Sequence, residues 1–322
     1  FRGIPLFRIQ QYYRTVFTKL VNSIKYLGWF SLEKTTLSVV IVSYENVNVL
    51  KDCLDSIQKY NDIGQELEVI IVDNSESDVV YNYVVKNYRN IRIFKHENNG
   101  FGAANNFGAM ISRGKYLLFL NPDTILVEPL FKFAIERFEE DETLSLFGVE
   151  LVDANLRKTL SFGMIDNDTL VGMVMIRIFN LLNVFVDGKM FISGADMFVR
   201  KEDFLRAGMF DENIFMYMEE ADLTKRIKAI GGKVRYFNDK RLIHLGGGSS
   251  GNVERATKAR MLSTRYYCEK YDLDFSKVFR RKLRYERVKL FFCTLLRDER
   301  ADKFRQSIEI MKIFYRDSKS EL

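Results

Sequence analysis

The sequence predicts an α/β fold in which a mostly parallel central sheet is flanked by helices, and three observations predict it. Short β-branched runs, apolar on both faces, recur through the first half of the chain. Helical spacing follows these runs, and repeated strand–helix–strand units imply parallel pairing with crossovers on both faces. The 322 residues are 47% apolar and include only 3 prolines, enough for a packed core of long, regular elements. A disordered or fibrous protein is excluded by the same numbers.

In chain order, residues 1–35 are expected to form a basic amphipathic helical segment, in which Ile9, Tyr13, Val16, Phe17, Leu20, Ile24 and Leu27 recur at helical spacing. The α/β domain spans 36–250. Its first strand is expected at 38–43 and its first helix at 49–60, with a second strand at 67–72 ending in Asp73-Asn74-Ser75. A helix at about 77–87, a strand at 91–94, a Gly/Asn/Ala stretch opening another helix and a strand at 116–120 follow. Residues 251–322 form a second basic helical segment, where Phe279, Leu283, Val288, Phe291, Phe292 and Leu295 crowd between cations.

The formal net charge of +6 is unevenly placed. Residues 1–32 carry +5 and residues 276–297 carry +7, which leaves −6 for the rest of the chain. Nucleic-acid binding by the body is therefore disfavoured. The ends have two readings that charge and periodicity leave open. They lie in the interface of an anionic membrane with Lys and Arg toward the headgroups, or they pack on the body or on a second subunit with their charge in solvent. Cys53, Cys268 and Cys293 fit neither a disulfide framework nor a metal knuckle, so a reducing compartment is expected. Two histidines in all disfavour chemistry built on several imidazoles. No run approaches the roughly 18 apolar residues of a membrane-spanning helix, and a soluble or peripheral protein is expected.

Ligands of parallel sheets sit beyond the carboxyl ends of the strands. Those ends read Ser43-Tyr44-Glu45, Asp73-Asn74-Ser75, a loop over 98–108, and Asn121-Pro122-Asp123-Thr124. One carboxylate after the second strand, another after the fourth and a glycine-rich helix start between them suit a nucleotide with a metal-bound diphosphate. Taken singly, Asp73 is equally a turn residue and Asn-Pro-Asp equally a strand stop. Their joint placement on one sheet edge favours the ligand.

The succession Ser-Val-Val-Ile-Val-Ser-Tyr, Ile-Ile-Val-Asp73-Asn-Ser, Asn98-x-Gly100-x-x-x-Ala104-x-Asn106-x-Gly108 and Leu-Asn121-Pro-Asp123 resembles family 2 glycosyltransferases with the GT-A fold. The resemblance continues through Ser193-Gly194-Ala195-Asp196, Gly208-Met-Phe-Asp211-Glu212, Phe215-Met-Tyr217-Met-Glu219-Glu220-Ala221-Asp222 and His244-Leu-Gly-Gly-Gly248-Ser249, and so covers roughly residues 37–250. It implies a donor site of Ser43, Tyr44, Asp73 (on the base), Gly100, Asn105, Asn106, Asn121 and Gly194. It implies a divalent cation, Mn²⁺ or Mg²⁺, at Asp123, the last carboxylate of the family's Asp-x-Asp, with His244 completing the metal shell. The acidic cluster Glu219, Glu220 and Asp222 opens a helix, and the resemblance makes Glu220 the general base. Asp222 is expected to orient that helix or to pair with Arg226, one turn on. Gly246 to Ser249 are expected to form a mobile flap.

What the resemblance implies is an inverting transferase that moves a sugar from a nucleoside diphosphate to a glycan or polyprenyl-diphosphate-linked acceptor of a cell-surface polysaccharide. The Asn-Pro-Asp-Thr form resembles the rhamnose-transferring subgroup, which puts dTDP-rhamnose ahead of a UDP-hexose as donor. The expected location is the inner face of the cell membrane, as a peripheral protein, with oligomers allowed. Two rivals remain: a catalytically inactive donor-binding or scaffold protein, since Asn121 and Glu220 depart from the commonest pattern, and a nucleotidyltransferase. The latter would carry a Gly-rich signature with Arg and Lys after the first strand, which Ser43-Tyr44-Glu45-Asn46 lacks.

Overall fold

The computed structural model describes residues 35–166, 169–246 and 252–320. The basic segment at 1–32 and three residues of the expected flap, Gly247, Gly248 and Ser249, lie outside the described residues.

Strands and helices alternate in the first half: β1 (Leu37–Ser43), α1 (Val47–Lys59), β2 (Leu67–Asp73), α2 (Val79–Asn87), β3 (Ile91–Lys95), α3 (Phe101–Ile111) and β4 (Tyr116–Leu120). α1 begins where the Asn46 side chain accepts from the Val49 N–H, which satisfies one of the amides a helix start leaves unpaired. β1, β2 and β4 are buried along almost their whole length because helices cover both faces. They pair in parallel in the order β3-β2-β1-β4, with Ser43 opposite Asp73 and Ile41 opposite Leu120. This register brings the turns after β1, β2 and β4 to one sheet edge.

The second half contains β5 (Thr124–Leu126), α4 (Phe131–Glu140), β6 (Leu144–Val152), β7 (Phe162–Met164), α5 (Leu170–Leu181), β8 (Met190–Ile192), β9 (Asp196–Arg200), α6 (Lys201–Arg206), α7 (Glu219–Ala229) and β10 (Lys233–His244). The eight-stranded sheet has the order β3-β2-β1-β4-β9-β6-β10-β5, while β7 and β8 pair separately. β9 is antiparallel to both β4 and β6, since the chain enters it at the edge where β4 ends: Asp196 lies opposite Leu120. β10 runs parallel to β6, and β5 lies antiparallel on its far side.

Helices α1, α2 and α4 cover one face through Leu50, Leu54, Val80, Val84, Phe131 and Phe138. Helices α3, α6 and α7 cover the other through Ala104, Phe204, Leu223 and Ile227. Three further helices, α8 (Val253–Lys270), α9 (Phe275–Leu295) and α10 (Arg300–Ser320), gather around Met261, Phe279 and Met311. The Phe279 and Tyr315 rings stack with centroids 4.1 Å apart. Polar bonds fasten α8 to the sheet domain: the Tyr267 hydroxyl donates to Asp166 and Lys270 to Asp211. The amphipathic stripe of 276–297 thus divides, its first half packed on neighbouring helices and Phe291, Phe292 and Leu295 left exposed. Among the described residues no helix is long and apolar enough to cross a membrane, and Cys53, Cys268 and Cys293 form no disulfide.

Candidate active site

The turns after β1 and β2 are tied together by their own side chains. Ser43 donates its hydroxyl to Asp73 Oδ1 at 3.3 Å, and the Ser75 N–H donates to the same oxygen at 3.1 Å. The Glu45 N–H donates to Ser75 Oγ, while the Glu45 carboxylate accepts from the Ser77 N–H and hydroxyl. Asp73 is fully buried, and its Oδ2, 3.5 Å from Lys95 Nζ, has no hydrogen-bond donor. Asn74 Oδ1 is buried and undonated as well, and Asn74 lines the cleft at this edge. Buried acceptors without donors are rare and costly, and of the two only Asn74 Oδ1 belongs to a residue that lines the cleft.

The strand ends bring Asp123 and His244 together. Asn121 donates its N–H to Ala195 O at 3.0 Å, and the Thr124 hydroxyl closes the turn on Asn121 O at 2.7 Å. Antiparallel pairing sets His244 opposite Thr124, and the Leu245 N–H donates to Asp123 O at 2.9 Å. His244 Nε2 consequently lies 3.4 Å from Asp123 Oδ1. Among the described residues no group of three or more His, Cys, Asp or Glu side chains converges on one point. Asp123 and His244 offer one oxygen and one nitrogen, a donor set that suits a divalent cation whose remaining ligands come from elsewhere.

The acids at the start of α7 face the same space. Tyr217 and Met218 both hold left-handed backbone, at φ 70° and 77°, a conformation that costs non-glycine residues free energy and concentrates at functional sites. The turn they make delivers Glu219 and Glu220 to the cleft wall. The Gly194 N–H donates to Glu220 Oε1 at 3.2 Å. A side chain at Gly194 would place its Cβ 2.7 Å from that oxygen, so only glycine leaves the carboxylate where it is. Burial raises the pKa of both acids, Glu219 the more strongly because it also feels the charge of Glu220. Glu219 Oε2 is buried without a partner.

A cleft of ≈ 420 Å³ joins these parts. Of the residues expected from sequence, Tyr44, Asn121, Asp123, Gly194, Glu219, Glu220 and His244 line it. Others lie behind or beside it. Ser43 and Asp73 brace the turns after β1 and β2, and Gly100, at φ 107°, lets its backbone approach Phe215, where a Cβ would lie 2.4 Å from the carbonyl oxygen. Asn105 donates to Phe101 O, and the Asn106 amide brackets the Phe210 backbone and Glu212. Asp222 is fully buried and turned away, accepting from Arg226, Tyr271 and Lys270. The expected Asp222–Arg226 pairing is therefore present, with Nη2 to Oδ2 at 2.6 Å.

One wall was not foreseen. Asn252, Arg255, Ala256 and Ala259 of the α8 start line the cleft, and Arg255 donates to the Tyr44 hydroxyl at 3.1 Å, its guanidinium 5.4 Å from the ring centroid. Arg255 is 211 positions from Tyr44 in sequence, so only packing reveals it. The local cue was Asn252, whose side chain caps α8 through the Arg255 N–H.

The model of the family described as "Glycosyl transferase family 2" matches residues 38–203. Rhamnosyltransferase WbbL of Escherichia coli (strain K12) is 27% identical over 227 residues, which cover 64% of this chain and 82% of that protein. Among solved structures, GalNAc-T7 with UDP, GalNAc and Mn²⁺ superposes at a TM-score of 0.54 and 17% identity over 67% of this chain and 44% of its own. Mannosyltransferase PcManGT from Pyrobaculum calidifontis, in complex with GDP-Man and Mn²⁺, gives 0.52 and 13% over 74% of this chain and 65% of its own. The chain thus spans less than two thirds of either solved relative, and at these identities the likeness is one of fold.

Proposed function

Because the chain belongs to glycosyl transferase family 2, we propose that its cleft moves a sugar, with inversion, from a nucleoside diphosphate to a glycan or polyprenyl-diphosphate-linked hydroxyl during cell-surface polysaccharide synthesis. One observation carries this reading. Residues 193–195 join the two halves of the site: the Gly194 N–H holds Glu220, while Ala195 O holds the turn that presents Asp123 beside His244.

In this mechanism Glu220 takes the proton of the acceptor hydroxyl as its oxygen attacks the anomeric carbon, and the nucleoside diphosphate departs from the opposite face. Glu220 Oε1 is committed to Gly194, which leaves Oε2 for the proton. A carboxylate with a raised pKa is the stronger base, and burial supplies that rise. Glu219, pushed up further by burial and by the charge of Glu220, carries a proton more readily than Glu220 does. A divalent cation, Mn²⁺ or Mg²⁺, bound by Asp123 and His244 together with diphosphate oxygens would neutralise charge on the leaving group. Arg255, against Tyr44, adds a fixed positive charge to the cleft lining.

dTDP-rhamnose is the favoured donor, because a rhamnosyltransferase is similar over 82% of its own length. A UDP-hexose is the second reading, since the undonated Asn74 acceptor at the cleft suits the N3–H of thymine and uracil alike and does not separate the two donors. The test is dTDP release from dTDP-rhamnose with lipid-linked glycan acceptors and Mn²⁺. Glu220→Gln should lower turnover by about 10²–10⁴-fold with dTDP affinity retained, and unchanged turnover would remove Glu220 from the mechanism.

A further inference from the structure

A stripe of exposed apolar side chains runs along α5 beside the cationic helix α9, and we infer that this face docks on an anionic bilayer surface. On α5, Val171, Val174, Ile178 and Leu181 follow one another at helical spacing and are all exposed, Val171 by 72%. Its other side faces inward, where Met173 and Ile176 line a cavity of ≈ 530 Å³ shared with Lys277, Val278 and Arg281 of α9. Arg177 reaches the Tyr285 hydroxyl at 3.4 Å, so the two helices are neighbours. One turn beyond Tyr285, α9 begins a stripe of its own: Val288, Phe291, Phe292 and Leu295 are exposed, Leu295 by 67%. Soluble proteins seldom leave adjoining apolar surface of this kind uncovered without a partner.

Charge decides among the occupants. α5 contains no acid, and the single acid of 276–297, Glu286, is buried against Lys289 and Arg260. The face is therefore cationic with its acid turned inward. A second copy would bring the segment 276–297, with its net charge of +7, against the same segment of its partner. Anionic headgroups complement the cations while the apolar stripes enter the headgroup–acyl boundary. The cavity behind α5 is also walled by Met218 and Ala221, the neighbours of Glu219 and Glu220, so docking brings the acid-bearing start of α7 close to the bilayer.

Docking requires neither donor nor turnover, so it is tested apart from the transfer reaction. In the full chain, Trp29, the one tryptophan, is replaced by Phe, and a reporter is introduced as Val174→Trp, Leu295→Trp or, on exposed Val79 of α2, Val79→Trp. Circular dichroism melts verify that each variant folds. With vesicles of mixed phosphatidylglycerol and phosphatidylcholine, emission of the reporters at 174 and 295 should shift to the blue, and high salt should weaken the shift. The reporter at 79 should not respond. Vesicle binding without a shift at 174 and 295 would assign the attachment to another part of the chain and overturn the inference. An equal shift at 79 would overturn it too, and so would a shift that tracks protein concentration without vesicles, since that outcome makes a second copy the occupant.

Discussion

Glu219 and Glu220 stand side by side at a helix start, yet they are fixed differently. Glu220 has a backbone donor in Gly194 and access to the cleft, whereas Glu219 is almost fully buried with one oxygen unpartnered. Desolvation raises the pKa of Glu219 well above its ordinary 4.5, which makes a pH-dependent contribution to stability. The fold binds a proton that the unfolded chain releases above about pH 4.5, so stability falls as pH rises from there through the folded-state pKa. Glu219→Gln removes this penalty and resembles the protonated acid. Its melting temperature should match the wild type near pH 5 and exceed it by pH 8. A difference that is constant with pH, or of opposite sign, would place the proton elsewhere. Both acids were legible in the sequence, because an acidic cluster opening a helix is a local pattern; which of them keeps the proton depends on burial and was not.

At the scale of elements, the site depends on how α7 is held. Asp222 locks it by accepting from Arg226 on its own helix and from Lys270 and Tyr271 at the end of α8. Asp222→Asn should cost about 2–3 kcal/mol, the worth of losing a charged hydrogen-bond acceptor, and lower the melting temperature by several degrees. Transfer should fall less than in Glu220→Gln, because Asp222 does not touch the cleft. An unchanged melting temperature would show that α7 is secured by its apolar face alone. The elements that were legible, β1 to β4 with their helices, carry β-branched runs and helical periodicity that local sequence records. β9 was not legible as antiparallel, since its direction follows from where the chain re-enters the sheet beside β4. α5 gave no amphipathic signal because its sequence is apolar nearly all round, with one face on a cavity and one exposed.

Across the whole molecule, one sheet edge gathers turns from β1, β2, β4 and β10, the entry to β9 and the start of α7, and the start of α8 joins them in lining the cleft. The strand-end rule anticipated Tyr44, Asn121 and Asp123, since each follows a strand, whereas His244 was anticipated through the family resemblance alone. Arg255 escaped it, because α8 reaches the cleft through tertiary packing after more than two hundred intervening residues. The account as a whole rests on a nucleoside diphosphate occupying that cleft with a divalent cation at Asp123. Calorimetric titration of dTDP, UDP, GDP and CMP, each with and without Mn²⁺, into the wild type and Asp123→Ala tests it most directly. The account predicts Mn²⁺-dependent binding that prefers dTDP, or UDP on the second reading of the donor, and that Asp123→Ala abolishes. Absence of binding by every nucleotide in the presence of Mn²⁺, or undiminished metal-dependent binding by Asp123→Ala, would contradict it.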